Sequence, residues 1–173
     1  MYRIMISVPK QRLYLYKSDK LLKIYPVSTA KEGTGSKVGS NQTPLGMHRV
    51  AEKIGANAPQ GTVFVSRQST GKIARIRLAG DPPDEKDQVT SRILWLEGME
   101  EGVNKGPGID SYNRCIYIHG TTDEGLIGRP ASHGCVRMMN RDVIELFDLV
   151  PVGTPVDIID APARRASNRK APK

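Results

Sequence analysis

Two short runs carry the residue types that could do covalent chemistry: Ile116-Tyr117-Ile118-His119-Gly120-Thr121 and Ser132-His133-Gly134-Cys135-Val136-Arg137. A cysteine attacks as its thiolate, and a nearby imidazole can hold that thiolate as an ion pair, lowering the thiol pKa from about 8.5. Residues 114–119 alternate as a strand, which puts Cys115, Tyr117 and His119 on one face. Cys135 falls in a turn that leads towards a helix. Gly134 lets the backbone come close, so main-chain N–H groups around Cys135 can point at a developing oxyanion. His133 is the rival base, but it lies beside Cys135, and a residue facing the thiol from a neighbouring strand is better placed for proton transfer. His119 is therefore the expected base. Arg137 suits a substrate carboxylate, and its bland alternative is a surface ion pair. The residue types alone leave two other readings open. One is an inert buried cysteine with a core histidine. The other is a zinc site built from His119, His133, Cys115 and Cys135, although the spacing lacks the usual paired-ligand pattern.

These groups must be held by a scaffold that the pattern reads as mainly β. Ile4, Ile6 and Val8 alternate with polar neighbours, as do Leu13 and Leu15 with Tyr14 and Tyr16. Further strands are expected at 21–28, 47–53, 62–66, 73–79, 92–97, 114–119 and 154–159. Asn140 reads as the N-cap of one helix whose apolar face is Val143, Ile144, Phe147 and Val150, ended by Pro151. Glycine-rich loops run from Ala30 to Gly46 and from Gly98 to Asn113, the second long enough for a lid. Asp81 to Glu85 is a rigid acidic loop. A β-sandwich or open barrel with one helix after the cysteine fits best.

The chain has 173 residues, 38% hydrophobic and 25% charged, which suits one globular domain. Its net charge of +8 is concentrated in the last thirteen residues, which hold five basic residues and no acid; residues 1–160 carry +3. This gives a catalytic domain at 1–160 and a basic tail at 161–173, read as a solvated terminus with weak anion contact at most. No apolar run matches a secretory leader or a membrane span, and two cysteines do not make a disulfide framework. The expected location is the cytoplasm, or the periplasm or envelope if a leader has been removed.

His119-Gly120-Thr121, Ile127-Gly128 and Ser132-His133-Gly134-Cys135-Val136-Arg137-Met138 resemble the L,D-transpeptidase catalytic domain of the YkuD type. The likeness continues through Asn140-Arg141-Asp142-Val143 and Val152-Gly153-Thr154-Pro155-Val156. Upstream, Gln11 to Tyr16, Tyr25-Pro26-Val27-Ser28 and Thr43-Pro44-Leu45-Gly46 match its opening strands. The resemblance spans about residues 2–159. It implies an acyl-enzyme route with Cys135 as nucleophile, His119 as proton carrier, an oxyanion hole near His133, Gly134 and Cys135, and no metal or cofactor. Peptidoglycan stem peptides or muropeptides are the implied partners, with Arg137, Ser132, Gly120 and Thr121 lining the substrate. Gly120 stands where some members have Ser, and Arg137 where some have Asn, so the group that orients His119 is open; a backbone carbonyl would serve. His48, where the family often has an aromatic, reads as structural. Without a leader, trimming of tetrapeptides in the manner of an L,D-carboxypeptidase is favoured over 3→3 cross-linking; an inactive peptide-binding module is the third reading. Ser28-Thr29-Ala30-Lys31 and the glycine run Gly33–Gly39 match penicillin-binding and phosphate-loop patterns only by chance, since their companion motifs are missing.

Overall fold

A computed structural model describes residues 1–162; the tail from 163 onward, with the anion contact expected of it, lies outside the described residues. Ten strands and one α-helix follow in the order β1 (Tyr2–Ser7), β2 (Arg12–Lys17), β3 (Lys20–Ser28), β4 (Gly46–Ile54), β5 (Thr62–Val65), β6 (Gln68–Ile73), β7 (Val89–Gly98), β8 (Tyr117–Thr121), β9 (Val136–Met138), α1 (Asn140–Leu149) and β10 (Pro155–Ile159). The mainly β class with one helix after Cys135 holds. The sheet order β4-β10-β1-β2-β3-β9-β8-β7 closes on itself because β4 also pairs with β7, leaving the β5–β6 hairpin as an extension from β7. Closure removes both edges of the ring, which would otherwise expose unpaired N–H and C=O groups.

Alternation along the strands fills the interior. Ile4 and Ile6, Leu13 and Leu15, Leu94 and Leu96, Ile118, Val136 and Met138, and Val156 and Ile158 form one buried cluster with Val143, Leu146 and Phe147 of α1. Each such side chain contributes roughly 1.5–3 kcal/mol on burial. A smaller cluster of Phe64, Ile93, Trp95 and Tyr117 lies on the other face, beneath the hairpin, with Cys115 and Cys135 packed against it.

Three expectations are corrected. The strand placed at 73–79 is instead Gln68–Ile73, and Ala74 onward is irregular. The exposed residues of β6 pair only with β5, so no buried face marked the strand in the sequence. The stretch after Cys135, read only as a turn leading to the helix, forms the three-residue strand β9, held by its neighbours β3 and β8. Finally, Asn140 is not the cap of α1 but its first residue; Met139 is the N-cap and makes no side-chain bond. Glu124 does the capping, with its Oε1 accepting from the Asn140 N–H at 2.8 Å.

Candidate active site

β8 and β9 run parallel, with Ile118 opposite Val136 and His119 opposite Arg137. Ile118 and Val136 point into the barrel core. The period of two therefore turns Tyr117, His119, Cys135 and Arg137 to the outer face. On β7, Ile93 and Trp95 pair with His119 and Tyr117 and share that face. The register of β7 against β8 slips between Thr90 and Ile93, and Ser91 within the slip has a φ of 67°. A bulge beside a site re-aims the side chains next to it; this one sends Ser91 Oγ to donate to Asn140 Oδ1 at 2.6 Å.

Two hydroxyl side chains brace the turn carrying Cys135. Ser132 Oγ donates to the Cys135 carbonyl at 2.6 Å and accepts from the Gly134 N–H at 3.3 Å. Thr43 Oγ1 donates to the Gly134 carbonyl at 2.9 Å, and accepts from the Ala30 N–H at the same distance. Gly134 has a φ of 132°, a conformation that a side chain would strain. The long loop 30–46 is thus a support for the turn that carries Cys135. Among the described residues, the main-chain N–H groups of His133 and Cys135 have no protein partner, whereas that of Gly134 is taken by Ser132.

His119 is buried, and its Nδ1 lies 2.5 Å from the Gly120 carbonyl. A carbonyl can only accept, so Nδ1 carries the proton and Nε2 is left as the basic nitrogen. The orienting group left open by the sequence is therefore main chain. Burial pushes the His119 pKa below its usual value, only partly offset by the Gly120 carbonyl and Asp87.

The thiol differs from the expected ion pair. Cys135 Sγ accepts from the Tyr117 N–H at 3.3 Å and lies 3.3 Å from the Cys115 carbonyl, to which it can donate. Burial pushes its pKa up to about 12, despite the Tyr117 N–H that favours the thiolate. Desolvation thus favours a neutral thiol and a neutral imidazole over the ion pair.

Arg137 is not on the surface. Its side chain is 3% exposed, Nη2 donates to Asp87, and Nη1 lies 4.0 Å from Asp123 Oδ2. Asp87 also accepts from Nδ1 of the exposed His133 at 2.5 Å. Sequence reading missed Asp87, which comes from the irregular segment before β7. That segment is anchored by Asp84, whose Oδ2 accepts from Thr122 Oγ1 at 2.9 Å and whose N–H donates to Asp123 Oδ1 at 2.8 Å. A buried guanidinium needs a counter-charge, and the acidic stretch Asp81–Asp87 was the one signal for it. Gly120, Thr121 and Ser132 are all buried, and the side chains of Thr121 and Ser132 are engaged by protein groups. They shape the site and do not present a free polar group to it.

The loop 98–113, expected as a lid, instead packs Tyr112 flat on Trp95, with ring centroids 4.1 Å apart. The β5–β6 hairpin covers the site: Arg67 at its turn donates to Tyr117 Oη at 3.1 Å and lies 4.6 Å from the centre of the Trp95 ring. Among the described residues no three His, Cys, Asp or Glu side chains converge as a metal site.

The sequence profile of the L,D-transpeptidase catalytic domain, YkuD, matches residues 1–158. The chain belongs to that family. It is 56% identical over 157 residues to a Bacillus subtilis protein named as an L,D-transpeptidase, YkuD, covering 91% of this chain and 65% of the relative. It is 51% identical to the Escherichia coli protein YbiS, also named as an L,D-transpeptidase, over 93% of this chain and 45% of the relative. The family member thus spans roughly half to two-thirds of the length of these relatives. The fold is shared with an L,D-transpeptidase from Mycobacterium smegmatis, with a TM-score of 0.53 and 17% identity over 91% of this chain and 58% of that one. An Enterococcus faecium L,D-transpeptidase gives 0.54 and 16% over 91% and 49%. No helix among the described residues is long and apolar enough to cross a membrane.

Proposed function

We propose that this L,D-transpeptidase-family chain performs cysteine-dependent acyl transfer on peptidoglycan stem peptides, with Cys135 as nucleophile and His119 as the proton carrier. The observation that carries this reading is the parallel pairing of His119 with Arg137, which puts the imidazole and the thiol of Cys135 on one face of adjacent strands. The sulfur attacks the carbonyl carbon between the L-centre of a diamino acid and a terminal D-Ala. Its proton passes to His119 Nε2, which the Gly120 carbonyl keeps unprotonated and oriented. The free N–H groups of His133 and Cys135 face the oxyanion of the tetrahedral state. Collapse breaks the C–N bond, His119 returns the proton to the leaving amine, and a thioester remains. Attack by water gives a tripeptide and restores the thiol; attack by an amine gives a 3→3 cross-link. Both fates use the same residues.

A neutral thiol fits this scheme. The proton moves as the carbonyl is attacked, so no isolated thiolate must be kept in an apolar site. Mass spectrometry of the products from a disaccharide tetrapeptide, with and without a D-amino acid acceptor, tests the reading. Loss of D-Ala with tripeptide formation supports hydrolysis, and exchange of the acceptor into the product supports transpeptidation. Cys135→Ala is expected to abolish either product, whereas Cys115→Ala retains most of it. Turnover by Cys135→Ala would reject the mechanism.

A further inference from the structure

Arg137 was the obvious candidate to hold a substrate carboxylate, but its surroundings argue against it. One guanidinium is flanked by the carboxylates of Asp87 and Asp123, and is almost wholly enclosed. A third anion arriving there would meet net negative charge in a poorly solvated place.

Arg114 stands differently. Its Nη2 donates to the Gln42 carbonyl at 2.8 Å and its Nη1 to the Gly35 carbonyl at 3.3 Å, with Ser40 Oγ 3.5 Å from Nη2. These partners are neutral, and among the described residues no carboxylate lies within ion-pair distance of it. The side chain is half-buried, so its charge is neither neutralised nor fully given to water. It also adjoins the nucleophile. Nη2 lies 3.8 Å from where a β-carbon on Gly134 would stand, and the next residue in the chain after Arg114 supplies the carbonyl that touches Cys135 Sγ. Arg67, a second cation of this face with no acid partner among the described residues, has its guanidinium over Trp95 and on the Tyr117 hydroxyl.

We propose that the Arg114 guanidinium is the subsite for the free terminal carboxylate of the peptide whose carbonyl Cys135 attacks. The inference rests on the acyl-transfer reading above. In such a peptide one residue, about 3.8 Å of chain, separates the attacked carbonyl from the terminal carboxyl group. The group that reads the carboxylate must therefore lie within a residue's length or two of the nucleophile, as Arg114 does. A planar guanidinium with N–H groups to spare suits a carboxylate, and each charge-assisted bond is stronger where water is partly excluded. The subsite also selects. A peptide whose carboxyl group is blocked leaves the guanidinium without its counter-ion, and one extended by a residue carries the carboxylate beyond it.

The test is calorimetric and needs no turnover. The Cys135→Ala chain is titrated with a stem tetrapeptide ending in D-Ala and with the same peptide ending in D-alaninamide. The acid is expected to bind about tenfold or more tightly than the amide, and adding Arg114→Gln brings the two within about twofold. Should that variant loosen the Gly35–Gln42 loop, seen as a lowered thermal midpoint, Arg114→Lys carries the test; its ammonium cannot fork, so the acid-to-amide ratio falls without vanishing. A ratio that survives in both variants, that is absent in the parent, or that is erased by Arg67→Gln and not by Arg114→Gln overturns the proposal. A chain that prefers the acid through Arg114 yet releases no D-Ala leaves the subsite standing and removes the acyl-transfer reading.

Discussion

Asn140 Oδ1 lies 2.6 Å from the point where a β-carbon on Gly120 would fall, and the Thr90 carbonyl is equally close on the same side. The Asn140 amide joins four elements: Oδ1 accepts from Thr90 Oγ1 and Ser91 Oγ, and Nδ2 donates to the Thr121 carbonyl and to Glu124. His119 is therefore oriented by a carbonyl whose own residue has no room for a side chain. Gly120→Ala is expected to lower stability by roughly 1–3 kcal/mol, as overpacking does. Truncating the obstacle should recover part of this, so in a double-mutant cycle Gly120→Ala with Asn140→Ala should cost less than the sum of the two. Strict additivity in chemical denaturation would show that the contact with Asn140 is not the cause and leave the Thr90 carbonyl as the obstacle.

His119 and His133 differ in what surrounds them, and this separates their expected roles. The buried His119 has its pKa held below 6.5 by desolvation, so its Nε2 stays unprotonated from below pH 6.5 upward. The acid limb of the acylation rate, followed by mass spectrometry with a carbapenem, should therefore lie below pH 6.5. His119→Ala should slow acylation by about 10² or more, and His133→Ala by less, since that ring is exposed and engaged with Asp87. The opposite order, with circular dichroism showing both variants folded, would exchange the roles. The raised thiol pKa adds a second readout: iodoacetamide should label Cys135 slowly at neutral pH and faster as the pH rises. Rapid labelling at pH 7 would indicate a standing thiolate–imidazolium pair.

The shared outer face of His119 and Cys135 was legible because both lie in short runs whose neighbours alternate cleanly: Tyr117 and His119 turn outward because Ile118 turns inward. Cys115 was expected on that face as a strand residue; it packs there, against the cluster that holds Tyr117, but with a φ of 56° and ahead of β8. Periodicity describes a strand interior but not the kink that ends it. Asn140 was misjudged for a different reason. Its amide could satisfy the helix's first N–H groups or reach across to other strands, and only the tertiary packing decides between them. Asp87 was invisible because its partner Arg137 is fifty residues away in the chain, and an acidic loop reads as solvated until something basic is buried beside it.

Asp87 supplies the next expectation. It neutralises Arg137, and its own carboxyl pKa is held below the usual range by Arg137 and the His133 contact, against the opposing effect of burial. A depressed folded pKa means that this pair stabilises fully above the unfolded pKa of about 4 and is lost as the pH falls through the lower folded value. Asp87→Asn should destabilise by about 2–4 kcal/mol at neutral pH, because the enclosed guanidinium then keeps only the more distant Asp123. Guanidinium chloride unfolding at pH 7 reads this directly. A change under about 0.5 kcal/mol would show that the pair carries no net stabilisation.

A second acid-sensitive group lies at the far side of the barrel wall. His48 is fully buried, with Nδ1 2.9 Å from the Gly46 carbonyl and Nε2 2.9 Å from Ser111 Oγ. The carbonyl fixes the proton on Nδ1, so in the neutral form Ser111 donates to Nε2; on protonation the hydroxyl would have to turn and accept. Burial lowers the pKa to about 4, more than the Gly46 carbonyl and Glu100 raise it. Since the unfolded pKa is about 6.5, the folded chain binds fewer protons than the unfolded one between these two values. The resulting stability is complete above pH 6.5 and is lost as the pH falls towards 4, at most roughly 3 kcal/mol in all. His48→Gln can keep one donor and one acceptor but does not titrate. The variant is expected to be less stable than the parent at pH 7, yet to lose less between pH 7 and pH 4.5, in paired chemical denaturation measurements. His119 contributes an acid slope of the same sign in both chains, so the difference between the slopes isolates His48. Parallel slopes would mean that the buried imidazole takes up its proton without cost, contrary to its enclosure.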